Sequence, residues 1–548
     1  MADVTEPAGI PRQILLVAGL RWRLWHNNLR RRQNRLDLLG LAVVGLLAGV
    51  LVVGVCFALF EGAYAFVSGG RTAWISLLFW GIFLWWQLFP VIVAGFGVSF
   101  EFRNLLRFPL QLGAFYLIGL AYGLADFSGA AGLVWLIAVA AGATAARLAL
   151  LPAMLLVVPL FLLFNVTLER LVGSWLERLL ARRRSRELFF AGFILLMVSL
   201  QLLGPVMNHY GNSAGPLIAH MLPYFAPLPP TLAGSAIEAA SAGKLAAMFL
   251  DAGGIGLYLV AFSVLLWLRF AAQYRGEELS QTAAPRSVQR VGATRETQHD
   301  VLLRLLSPQL AAVVRKEVRY LVRNGFGALL LFLPPILVFA LISHATVLSG
   351  LRKGIPSEAF FPGLVGYIIL ILMAPAYNSF AYENTGVQTY FTAPVRFRHV
   401  FLGKNFVQVS LIGAELTLCI AAFSYRVGLP SMPVFTATLA AIVFTVVGQL
   451  SIANWSSLSF PRKLAFGQVY GQRQSGMAVL VAFGAQILLF GISSVVLMLG
   501  RWTGDRWLPA KAFVLLAAAA VGGYIAALDA LTDYAERKKE RLIEALCR

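Results

Sequence analysis

Charged side chains are what this sequence has least of. Only 13% of its 548 residues are Asp, Glu, Lys or Arg, against about 25% in soluble domains, while 59% are hydrophobic. A water-soluble core cannot absorb that much apolar surface, so a soluble globular enzyme or binding module is excluded. Cysteine is scarcer still: Cys56 and Cys419 fall within apolar runs and Cys547 lies beside the C-terminus, which leaves no extracytoplasmic disulfide framework. The six histidines show no metal-ligand spacing such as HExxH, so no metal site is expected. A phosphate-binding loop is missing as well. The nearest string ends in Gly243, Lys244 and Leu245, with Glu238 where the first glycine belongs and Leu245 where the hydroxyl belongs. The GNSAG at 211–215 fits the GxSxG nucleophile pattern, with His209 and His220 nearby. That pattern needs a strand-to-helix elbow with His and acid partners; a membrane hydrolase is the minor reading and a Gly/Ser turn after a span the main one.

What the chain does have is long apolar runs. Residues 38–60, LLGLAVVGLLAGVLVVGVCFALF, exceed the roughly 20 residues that cross a bilayer as a helix, where every backbone polar group must be satisfied internally. Twelve spans are expected: 38–60, 74–98, 112–127, 145–167, 188–206, 254–270, 327–349, 360–381, 399–425, 433–457, 477–500 and 508–530. The fold class is an all-α polytopic membrane protein. The stretch 112–167 is apolar nearly throughout and glycine-rich around Gly129, Gly132 and Gly142, so its division into helices is the least defined.

The net charge of +20 could suggest nucleic acid, but its placement follows the spans. Of 45 Lys and Arg, 35 fall in the termini and alternate loops and eight in the opposite loops. That asymmetry is the positive-inside pattern; it predicts cytoplasmic termini and contact with anionic lipid headgroups, with no nucleic-acid partner. Residues 1–37 are long, polar and Arg-rich, including Arg30, Arg31 and Arg32, so no cleavable signal peptide is expected and the first span serves as the insertion signal.

The pattern repeats. Each copy runs from a basic helix through two spans to a polar knot, then more spans and a basic stretch. The first knot holds Glu101, Arg103, Arg107 and Pro109; the second, about 285 residues on, holds Glu383, Pro394, Arg396 and Arg398. Two six-span halves are therefore expected, 1–270 and 307–548, joined by a polar cytoplasmic linker at 271–306 too poor in apolar residues to fold alone. Each half begins with an amphipathic interfacial helix. In LSPQLAAVVRKEVRYLVRN, Leu310, Val313, Val314, Val318 and Leu321 share one face, with Arg315, Arg319 and Arg323 at four-residue steps on another. The N-terminal counterpart has a less regular stripe, with Trp22 and Trp25 suited to headgroup level. Both are equally well read as anchors with no further role. A plain turn needs neither Phe102, Leu105 and Leu106 nor Tyr390 and Phe391, which suit a docking surface for a soluble partner.

The order of KEVRYLVRN, two spans, ENTGVQTYFTAPVRFRHVFLGKN and four further spans resembles the permease of ATP-binding-cassette exporters of the type-2 group. The likeness covers nearly the whole chain as an architecture and includes the Pro-rich YFAPLPPTLAGSAIEAASAG before the last span of the first half. It implies an exporter subunit of the bacterial inner membrane, driven by separate nucleotide-binding ATPase subunits that carry the ATP and magnesium. It also implies coupling-helix starts at Glu101, Phe102 and Arg103 and at Glu383, Asn384 and Thr385, and an elbow helix holding Arg315, Lys316, Glu317 and Arg319. With both halves in one chain, a homo-oligomer is not required. The second half departs from the first in lacking a long counterpart of 207–253, and the first knot is three residues shorter between its Glu and Pro.

Glu415 is the most central ionisable residue of any span. It reads equally as a contact in the translocation path or as a structural hydrogen-bonding group. Arg147 and Asp529 lie near span ends, where snorkelling accounts for them. Two other functions compete: a proton-coupled secondary transporter, which would need matching central carboxylates, and a membrane-embedded lipid-modifying enzyme, which would need a polar catalytic cluster at one membrane face.

Overall fold

The computed structural model describes residues 9–30, 35–94, 108, 110–181, 223–276, 306–323, 357–381, 383–393, 395–463 and 475–547, with isolated positions 188, 192, 195, 199 and 338. Among them there is no strand. The helices with described bounds before the linker are α1 (Ile10–Arg30), α2 (Arg35–Ser68), α3 (Ile75–Ala94), α4 (Leu112–Ala125), α5 (Phe127–Ala146), α6 (Leu151–Ala181), α7 (Pro229–Ser241) and α8 (Leu245–Tyr274). After the linker come α9 (Pro308–Arg323), α10 (Ser357–Met373), α11 (Thr389–Thr392), α12 (Phe397–Val427), α13 (Met432–Ser459), α14 (Gly476–Thr503), α15 (Leu508–Arg537) and α16 (Lys539–Cys547).

Among the described residues ten segments are long and apolar enough to cross a membrane, so the chain is an integral membrane protein. Nine of them overlie spans expected from the sequence. The tenth, Phe127–Ala146, does not, and this is the main difference in the membrane map. Where a span over 112–127 was expected, the chain forms the 14-residue α4, about 21 Å long at 1.5 Å per residue and short of a ~30 Å hydrocarbon core. Asp126 breaks the chain between α4 and α5 with an extended ψ of 156°. Its carboxylate pairs with Arg170 of α6, so a charge that would be costly inside one continuous helix sits at a joint with its partner. The expected spans 188–206 and 327–349, the linker from 277 to 305 and the GNSAG string lie outside the described residues, apart from the isolated positions named above.

The largest core among the described residues lies in the N-terminal part and the next in the C-terminal part. In the N-terminal part, Phe79, Trp86, Trp135, Leu136, Val157 and Phe161 pack α3, α5 and α6 together, and α7 joins them through Ala233, Ala236 and Ile237. The Pro-rich segment before the last span is thus a helix, started by Pro229 and Pro230 at positions that need no N–H. Trp80 donates to Thr231 Oγ1 at 3.0 Å, and Arg147 donates to the Ser241 carbonyl at 2.7 Å. In the C-terminal part, Ile368, Leu372, Ile412, Leu416, Val446 and Leu450 pack α10, α12 and α13. The principal contact between the two parts is α2 on α14, where a Cβ on Gly40 would collide with the backbone carbonyl of Gly476.

Both amphipathic helices dock on the start of the helix that follows a knot. Gln13 of α1 accepts from the Gln111 N–H at 2.9 Å, and Arg21 lies over the Tyr122 ring of α4 at 4.3 Å. In the C-terminal part α9 packs along α12, and Gly403 permits the approach: a Cβ there would stand 2.6 Å from Val313 Cγ1.

Candidate functional site

The second knot folds as a compact turn between α10 and α12. Glu383 opens it, with its carbonyl accepting from the Gly386 N–H at 2.8 Å. Asn384 follows at a φ of 48°, a left-handed conformation that asparagine adopts more readily than most residues. One tight turn over Asn384–Gln388 then leads into α11.

Four ionised side chains from three elements converge beneath this turn. The Lys404 ammonium of α12 uses all three donors: to Glu383 Oε1 at 2.5 Å, Glu317 Oε1 at 2.7 Å and the Ser379 carbonyl at 3.0 Å. Lys316 of α9 pairs with Glu383 and with Glu317, the latter at 3.1 Å. Tyr390 donates to Glu383 Oε1 at 2.8 Å, and its ring lies 4.7 Å from the Lys316 Nζ. The Lys404 and Glu383 side chains are 5% and 3% exposed. Two lysines and two glutamates give the cluster no net charge, and their mutual hydrogen bonds offset the cost of taking four charges out of water.

Electrostatics here are set by proximity. Burial alone would raise the Glu383 carboxyl, but the ammoniums of Lys404 and Lys316 and their hydrogen bonds outweigh it and hold it down at about 2. Burial and the neighbouring Lys404 charge lower Lys316 below the ordinary lysine value, against the pull of Glu317 and Glu383. The Tyr390 hydroxyl is pushed up by burial and then by the carboxylates of Glu383 and Glu317, so it stays a donor.

The knot has two faces. Inward, Val387 and Tyr390 join Phe380, Phe397, Val400 and Phe401, and the lower end of α15 adds Leu528, Leu531 and Ala535. Helix α16 folds back against the turn, burying Leu542 and Leu546 in the same cluster. Outward, Thr385, Gln388, Thr389, Thr392, Ala393 and Arg396 are exposed. The aromatic side chains expected to face a partner point the other way: Tyr390 is buried and Phe391 stacks on Phe397 at 5.1 Å between centroids.

No protein-family model matches the chain, and comparison with curated proteins and with solved structures gives no significant match. Of the residues expected at the start of the knot, Glu383 is buried in the ion cluster, Asn384 is half-buried and Thr385 is exposed. On the amphipathic helix, Lys316 and Glu317 belong to the cluster, while Arg315 and Arg319 are exposed. Glu101, Phe102 and Arg103 lie outside the described residues.

Two buried ionisable residues escaped sequence reasoning, one in this site and one in the N-terminal part. Lys404 reads as one more loop lysine, yet it is the eighth residue of α12 and 7% exposed. The one pointer in the sequence is its place at the start of an apolar run, where a buried lysine needs a carboxylate, and only the packing shows Glu383 and Glu317 to supply it. Glu169 is the other. It is buried in α6, accepting from Trp86 Nε1 at 2.8 Å and from Ser128 at 3.3 Å, beside the Asp126–Arg170 pair.

Glu415 is fully buried on the face of α12 that carries Ile412, Leu416 and Cys419, within the core of the C-terminal part rather than at the α2–α14 contact. Neither of its oxygens has a hydrogen-bond partner among the described residues.

Proposed function

We propose that the chain is the permease subunit of an ATP-driven exporter, with two fused six-span halves and both termini in the cytoplasm, worked by separate nucleotide-binding subunits that hold the ATP and magnesium. The observation that carries this reading is the construction of the second knot. A short turn is gripped from beneath by α9, α12, α15 and α16, and presents an outward polar face of Thr385, Gln388, Thr389, Thr392 and Arg396. A loop that only connects two spans needs no buried ion cluster. A lever that must carry force from a soluble motor into membrane helices needs a rigid mount, and the Lys316–Glu383–Lys404–Glu317 cluster ties the turn to both an interfacial helix and a span. The docking of α1 on α4 and of α9 on α12 supports two related halves.

Purification of tagged full-length chain from its own membranes tests the reading. An ATPase subunit copurifies and is lost when Gln388 and Thr389 are replaced by Trp on the exposed face; absence of any ATPase with the unaltered chain counts against it. One observation favours the proton-coupled alternative, the unpartnered Glu415 carboxyl. Transport by the purified chain alone, driven by a pH gradient and abolished in Glu415→Gln, would decide for that alternative.

A further inference from the structure

Helix α13 crosses the C-terminal core with a polar stripe. Thr438, Thr445, Gln449 and Ser456 are spaced by 7, 4 and 7 residues, which at 100° per residue sets all four within about 20° of one line, over roughly 27 Å of helix. Such a stripe in a soluble protein would face water. Here all four side chains are buried, at 3%, 3%, 0% and 0% exposure. The two threonines donate only to carbonyls of their own helix, Thr438 to Val434 and Thr445 to Ala441, each at 2.7 Å. The Gln449 amide has no partner at either atom among the described residues, and neither has the Ser456 hydroxyl. The stripe therefore does not join helices together, which is the ordinary use of polar side chains within a membrane.

The C-terminal part holds more buried polar atoms without a partner among the described residues: the Tyr377 hydroxyl, Ser424 Oγ and both Glu415 oxygens. Buried polar groups in folded proteins are nearly always satisfied, and a packing that leaves several unsatisfied is favoured only while nothing better is on offer. Parting of the helices that face the stripe would give its Gln449 amide and Ser456 hydroxyl water at once. The flanks of α13 are different in kind: Val446, Leu450 and Ala453 are equally buried and wholly apolar, and gain nothing from wetting.

We propose that the α13 stripe lines a water-filled crevice in a second conformation of the C-terminal half, and that the packing described above is its closed state. The crevice takes uncharged hydrogen-bonding species, water first, because the stripe offers hydroxyls and one amide and no ion. It lies inside one half, apart from the α2–α14 contact, and stands whether or not an ATPase drives the chain.

Single cysteines placed in a background lacking Cys56, Cys419 and Cys547 test it, in the full chain in native membranes. Ser456→Cys, Gln449→Cys and Thr445→Cys are compared with Val446→Cys and Leu450→Cys for reaction with a membrane-impermeant methanethiosulfonate. All five positions are buried in the closed packing, and the adjacent pairs Thr445 with Val446 and Gln449 with Leu450 lie at matched depth, so a difference within a pair reports an opening along one face. Stripe positions reacting at least tenfold faster than the flanking ones is the expected result. Equal, slow reaction at all five, in variants that elute as monodisperse folded protein, overturns the proposal; so does equal, fast reaction at all five, which would mean general loosening. Ser456→Cys is nearly isosteric and keeps the test valid if Gln449→Cys fails to fold.

Discussion

Replacing Lys404 with methionine keeps the length of the side chain and removes its charge and three hydrogen bonds. Glu383 and Glu317 are then left with Lys316 alone, in a cluster whose net charge falls from zero to minus one. Truncating one member of a buried ion pair typically costs about 3–5 kcal/mol, because the surviving charge stays buried. The held-down Glu383 carboxyl leads to a similar figure: from 4.5 to about 2 corresponds to about 3 kcal/mol at 1.36 per unit, shared between Lys404 and Lys316. Unfolding of the purified chain by titration with sodium dodecyl sulfate reads the cost. Alkylation of Cys547 gives a local measure, since its sulfur lies 3.6 Å from Gln388 Nε2 on the turn. Glu383→Gln in the same chain restores neutrality, so the double variant should lose about 2 kcal/mol less than the two single losses added together. A Lys404→Met variant costing under about 1 kcal/mol, or strict additivity with Glu383→Gln, would refute the argument that this cluster is the mount of the knot.

Other outcomes follow from the same geometry. Gly403→Leu drives a side chain into Val313 and should lift α9 from α12 at a cost of about 1–3 kcal/mol, read as faster proteolysis at Arg315 and Arg319. Glu383 has a folded-state value below its unfolded one, so its stabilisation is complete above about pH 4.5 and is lost as the pH falls toward about 2. The sodium dodecyl sulfate concentration that unfolds the chain should fall across that window in the wild type and change less in Glu383→Gln. Gly40→Leu places a side chain against the Gly476 backbone and should weaken cross-linking between engineered cysteines on α2 and α14.

The membrane class was legible because composition alone decides the solvent, and nine of the expected spans stand where hydropathy set them. Residues 112–146 were misdivided for a physical reason. The run is apolar throughout, and the one feature that ends α4 is Asp126, whose partner Arg170 is 44 residues away in sequence. Hydropathy averages over such a joint. At the knot, the sequence pattern located the turn and its acid but reversed its faces, taking Tyr390 and Phe391 as outward because they adjoin charges. Their orientation depends on α15 and α16, which arrive more than 100 residues later to build the apolar floor of Leu528, Leu531, Leu542 and Leu546. Lys404 was hidden by its place at a span boundary, where a loop lysine and a buried one look alike until Glu317 and Glu383 are seen around it. The polar stripe of α13 was readable from its spacing. That its amide and hydroxyl atoms lack partners was not, since only packing shows what neighbours offer.

The most direct test of the account measures ATP hydrolysis in material copurified with tagged full-length chain, for the wild type and for a Gln388→Trp, Thr389→Trp variant whose insertion and monodispersity are unchanged. The account predicts a bound ATPase with the wild type and its loss from the variant, since both positions lie on the outward face of the knot. Equal ATPase recovery with both, or none with the wild type, would contradict the claim that this turn receives work from a separate motor.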